Sequence, residues 1–122
     1  APARELIGEM LKNAGYRPVL AASGAEALEH LERSIPAAVI VDLMMPEMTG
    51  FELIFRIRND ARLAGVPLIV LTGIILSEND IALLRRATNA ILVKGSEWKH
   101  RLREELAAIV RRHAKKEDTD RR

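Results

Sequence analysis

Three short apolar runs, each ending in a side chain that can do chemistry, constrain this chain more than any other feature. Residues 37–42 read AAVIVD, 66–72 read VPLIVLT and 90–94 read AILVK. A strand with one wet face alternates apolar and polar residues, whereas a strand covered on both faces reads as an unbroken apolar run. Between the runs, apolar residues fall at helical spacing: Leu53, Ile54 and Ile57, then Ile81, Leu84 and Ala87. Strands alternating with helices predict a parallel sheet sandwiched between helices.

The flanking segments extend the pattern. Residues 2–14 carry Leu6, Ile7, Met10, Leu11 and Ala14 on one helical face, with Pro2 suited to a first turn and Gly15 to a stop. Residues 17–22 (RPVLAA) read as a further strand. Ser23 with Glu26 three positions on is a capping-box signal for a helix to about residue 34, and Pro36 ends it. Ser77 with Asp80 opens the next helix, and Ser96 precedes a long last one through Trp98, Leu102, Leu106, Ile109 and His113. The predicted order is αβαβαβαβα, one domain over residues 1–114. Residues 115–122 are polar and read as a tail, linker or frayed helix end.

Composition closes off several classes. Hydrophobic residues make up 48% of the chain, enough for a core, and aromatics only 3%, so aliphatic side chains must fill it. Without cysteine there is neither a disulfide framework nor a thiolate metal site, which suits a reducing, cytoplasmic setting. No apolar run reaches the ~18 residues of a membrane span. Basic residues gather after Arg101, but glutamates are interleaved, as on a solvated helix face. Nucleic-acid binding by this domain alone is therefore not expected. His30, His100 and His113 show no metal-ligand spacing, and no glycine-rich phosphate loop or nucleophile–histidine pair marks an enzyme site.

Parallel strands put their carboxyl ends on one rim of the sheet, where ligands of such folds sit. Asp42, Thr72 and Lys94 should therefore converge there. A carboxylate, a hydroxyl and an ammonium together form a phosphoryl-handling set. The first is a nucleophile of the aspartyl-phosphate kind, and the other two bind phosphoryl oxygens.

The stretch Ile40-Val41-Asp42-Leu43-Met44-Met45-Pro46-Glu47-Met48-Thr49-Gly50-Phe51-Glu52-Leu53 closely resembles the phosphoacceptor segment of response-regulator receiver domains. Residues 67–72 (PLIVLT) resemble the strand with the family's switch hydroxyl, and Leu92-Val93-Lys94 the strand with its lysine. Gly15-Tyr16 and Ser23-Gly24-Ala25-Glu26-Ala27-Leu28 match its second strand and helix, so the resemblance covers residues 3 to about 113. It implies a flavodoxin-like, doubly wound parallel sheet of strand order 2-1-3-4-5. It also implies a signalling role in two-component systems rather than an enzyme's, with Asp42 phosphorylated by a histidine kinase or phosphotransfer protein. Thr72 is then the switch hydroxyl and Lys94 the phosphate partner. Mg²⁺ is held in the family by the acceptor aspartate, a backbone carbonyl that maps to Met44, and acidic residues after the first strand.

The sequence departs from that pattern where the first strand should be. Ala1-Pro2 stands in its place, and both the strand and its acidic pair are missing. One carboxylate and one carbonyl are a poor ligand set for a hard cation, so Mg²⁺ binding by this chain is doubtful. Such a strand buries about four apolar side chains at ~1.5–3 kcal/mol each, comparable with a whole domain's ~5–15 kcal/mol. The gap predicts an open ladder, with three closures open: residues preceding Ala1 in the native protein, direct pairing of 17–22 with 37–42, or another chain, as in a strand-swapped homodimer. The long last helix is the other candidate dimer face. Ile91 replaces the family's aromatic three positions before the lysine, and Gly95 replaces the proline after it. These departures keep an alternative open: a phosphorylation-independent pseudo-receiver acting through dimerisation or protein contacts.

Overall fold

The computed structural model describes residues 2–43, 48–73, 75–95 and 97–120. Its elements in chain order are α1 (Pro2–Asn13), α2 (Gly24–Arg33), β1 (Val39–Asp42), α3 (Gly50–Arg58), β2 (Leu68–Thr72), α4 (Glu78–Ala87), β3 (Ala90–Val93) and α5 (Trp98–Asp120). The three strands form one parallel sheet of order β1-β2-β3. Val39 pairs with Leu68 and Asp42 with Leu71, while Ile69 pairs with Ala90 and Thr72 with Val93. The predicted doubly wound α/β architecture is therefore present.

Alternation along the strands sends successive side chains to opposite faces. Val41, Leu68 and Val70 join Leu31, Leu53, Ile54, Ile57 and Leu84 in one core beneath α2, α3 and α4. Ile69, Leu71 and Leu92 join Leu11, Leu102, Leu106 and Ile109 in a second core beneath α1 and α5. β2, the central strand, is buried at all five positions, as its unbroken apolar sequence requires. Trp98 packs against the second core, the role expected of an aromatic residue at the start of the last helix.

One sequence expectation needs correction. Residues 17–22 form no ladder and pair neither with β1 nor with any other described strand. A strand exists only through its neighbours, and no described strand lies alongside 17–22, where Val19 is 70% exposed. The last helix runs through Asp120, so of the readings for residues 115–122 the backbone takes that of a helix end as far as 120. Among the described residues β1 is an edge strand of the sheet. Val39 N–H donates to Pro67 O at 2.9 Å, so the backbones of Val39 and Val41 turn toward β2, and those of Ile40 and Asp42 away from it.

The helix starts are built from capping side chains. Ser23 Oγ accepts from Glu26 N–H at 3.2 Å, Thr49 Oγ1 from Glu52 N–H at 3.2 Å, and Ser77 Oγ from Asp80 N–H at 3.1 Å. Since each helix follows a chain segment running toward the carboxyl rim, these ends lie on the rim side of the sheet.

Candidate functional site

Asp42 is the last residue of β1, Thr72 the last of β2, and Lys94 follows the last residue of β3. The lysine reaches across the central strand, and its Nζ lies 3.1 Å from Asp42 Oδ2. Its backbone N–H donates to Thr72 O at 2.8 Å, so the main chain holds the lysine beside β2. Thr72 is wholly buried between the charged pair's strands, the one buried polar residue among the described core. Asp42 and Lys94 are partly open to solvent, with side chains 37% and 29% exposed. Both side chains are therefore within reach of a group arriving from solvent.

Backbone comes close to backbone at the rim at Gly50, the first residue of α3. A Cβ there would stand 2.6 Å from Leu43 Cα and 2.7 Å from Asp42 O. Gly50 N–H also donates to Leu43 O at 3.3 Å. The missing side chain therefore lets the positive end of the α3 dipole come right up to the acceptor strand, a setting that favours anions. The sequence signal for this approach is a glycine directly after a capping threonine, Thr49-Gly50.

Asp42, Thr72 and Lys94 thus come together on one rim as the alternation of elements predicts. Met44, the expected carbonyl ligand, lies outside the described residues. Among the described residues no cluster of three histidine, cysteine or acidic groups could hold a metal ion. Among the described residues Asp42 brings one carboxylate to the rim, and Lys94 Nζ lies against it. A hard divalent cation wants several oxygen ligands, so the described residues do not fit Mg²⁺. His30 and His100 instead sit within reach of Glu26 and Glu104 on their own helices, at 3.8 and 3.1 Å.

A parallel sheet covered on both faces, with its polar side chains on the carboxyl rim, defines the class: a doubly wound, flavodoxin-like α/β domain with a rim site. The model of the response regulator receiver domain matches residues 1–107, and the chain belongs to that family. It is a receiver domain of two-component signalling, a kind of domain that pairs with histidine kinases.

The chain is 33% identical to response regulator Rre1 of Synechocystis over 88% of its own length, but the match spans only 45% of Rre1. It is 34% identical to the chemotaxis protein CheY1 of Helicobacter pylori over 75% of each chain. The receiver domain of the sensor histidine kinase PA1611 from Pseudomonas aeruginosa superposes with a TM-score of 0.78 at 28% identity, over 90% of each chain. That structure carries a magnesium ion in its active-site cleft. No helix of this chain, among the described residues, is long and apolar enough to cross a membrane.

Proposed function

We propose that Asp42 is the phosphoacceptor of this receiver, that Lys94 pairs with the phosphoryl group once it is attached, and that Thr72 is the switch hydroxyl. A carboxylate oxygen of Asp42 attacks the phosphorus of a kinase phosphohistidine in line. The P–N bond breaks, and the imidazole nitrogen keeps the electron pair and takes a proton from solvent. The ammonium of Lys94 moves from the carboxylate to the new phosphoryl oxygens, and the Thr72 hydroxyl donates to another. The added negative charge then changes which contacts the rim and its helices make. A reducing, cytoplasmic compartment suits a chain without cysteine.

The observation that carries this reading is the 3.1 Å contact between Lys94 Nζ and Asp42 Oδ2 across the central strand. It is tested by amide NMR spectra of the chain titrated with beryllofluoride, with and without Mg²⁺. Shifts centred on residues 42, 72 and 94 that vanish in Asp42→Asn support it, whereas an unchanged wild-type spectrum under both conditions opposes it. The second reading, a receiver that signals by protein contact alone, is favoured by one observation: among the described residues, Asp42 is the rim's only carboxylate that contacts Lys94.

A further inference from the structure

Two helices that pack against each other, α2 and α3, both open on a buried glycine, Gly24 and Gly50. The backbone does not demand a glycine at position 24. Among the described residues Gly15 is the glycine with a positive φ, and alanine would favour a helix more. Space accounts for it instead. A Cβ on Gly24 would stand 2.6 Å from Met48 Sδ and 3.0 Å from Met48 Cβ and Cγ. Non-bonded atoms of this kind prefer ~3.5–4.0 Å. The thioether can swing aside on its flexible side chain, but Cβ is fixed to the main chain and cannot. A side chain at position 24 would therefore push on the backbone of Met48.

Met48 has little room to retreat. It is half-buried against the core that also seats Ala27, Leu28 and Phe51. Thr49 follows, its Oγ1 holding the first turn of α3 through Glu52 N–H. Gly50 comes next, and its N–H donates to Leu43 O. That bond closes the chain between 43 and 50 at a neck, and the neck lies against Leu43 Cα and Asp42 O. A push at Met48 is thus two residues away from the backbone that touches Asp42. Gly50 holds this neck, and Gly24 holds the residue that leads into it.

We propose that Gly24 is a positioning residue for the acceptor: its missing side chain is the seat of Met48, and seat and neck together fix where the Asp42 carboxylate stands. Relief of the contacts to a Cβ would move Met48 by roughly 0.5–1 Å. Misplacing a reacting group by about 1 Å can cost about 100-fold in rate. The effect on phosphoryl transfer rests on the proposed role of Asp42, whereas the seat itself does not.

Two readouts on the full chain test it. Substitutions that share a contact are not additive, so Gly24→Ala is made both in the wild type and in Met48→Ala, which removes Cγ and Sδ. In amide NMR spectra without a phosphodonor, Gly24→Ala should shift Asp42 and Leu43, both far from residue 24 in sequence. The same substitution in Met48→Ala should shift them less than half as much. With acetyl phosphate, Gly24→Ala should slow labelling of the wild type by roughly tenfold or more, and that of Met48→Ala by far less. Gly65→Ala, whose Cβ meets nothing within 4 Å, should label at the wild-type rate. A wild type that takes no label would remove the acceptor role of Asp42, and the amide signals would still decide the seat. Amide changes confined to α2, or equal in the two backgrounds, would overturn the proposal, and so would a Gly24→Ala chain labelled as fast as a wild type that does label. If Gly24→Ala does not fold, Met48→Ala alone carries the test: with the seat emptied Asp42 and Leu43 should shift, and unmoved signals would overturn it.

Discussion

Adding one methyl group at residue 50 is the sharpest perturbation of the acceptor strand available without touching its charge. In Gly50→Ala the new Cβ falls 2.6 Å from Leu43 Cα, 2.7 Å from Asp42 O and 2.9 Å from Leu43 Cδ2. Non-bonded carbon atoms prefer ~3.5–4.0 Å, so α3 and the end of β1 must separate by ~1 Å. Two of the three obstructing atoms are backbone, in a strand fixed by its ladder, and cannot rotate away. Overpacking of this kind costs ~1–3 kcal/mol. The better helix propensity of alanine offsets at most ~1 kcal/mol of it. A net loss of ~1–2 kcal/mol lowers the melting temperature of a domain this size by ~4–8 °C. Thermal unfolding followed by circular dichroism measures it. Gly65→Ala is the control: a Cβ there meets nothing within 4 Å, so the melting point should hold or rise by the ~0.4–1 kcal/mol that a stiffer unfolded chain provides. A Gly50→Ala protein as stable as the wild type would refute the close approach of α3 to Asp42.

Three further outcomes follow from the same contacts. Lys94→Met removes a partly exposed ion pair, so stability should change by no more than ~1 kcal/mol, while phosphoryl transfer to Asp42 falls at least tenfold; equal labelling of the two proteins would remove Lys94 from the site. Ser77→Ala deletes the cap of α4 and should cost ~1 kcal/mol in urea unfolding, with no loss meaning that the cap bond is not formed in solution. Leu68→Ala empties a fully buried position of the central strand and should cost ~2–5 kcal/mol in the same assay, far more than Val19→Ala on the unpaired segment.

The sheet was legible because its three strands carry the strongest local signal a strand can have, an apolar run ending at a polar side chain. The convergence of Asp42, Thr72 and Lys94 followed from parallel topology alone. Residues 17–22 show the limit of that reasoning: their apolar sequence is no weaker than that of β3, yet pairing is decided by what lies alongside, and nothing described does. Thr49 was within reach, since Thr49 and Glu52 repeat the spacing of Ser23 and Glu26. Arg58 was not. Its partners are carbonyl groups on residues 63, 64, 66 and 87, and a main-chain acceptor leaves no mark on the amino-acid sequence.

Intact-mass spectrometry after incubation with acetyl phosphate, run with and without Mg²⁺, puts the acceptor to its most direct trial. The wild-type chain should gain the mass of a single phosphoryl group, labile to hydroxylamine as an acyl phosphate is, and Asp42→Asn should gain none. A wild-type mass unchanged under both conditions, or a label that persists in Asp42→Asn, would contradict it.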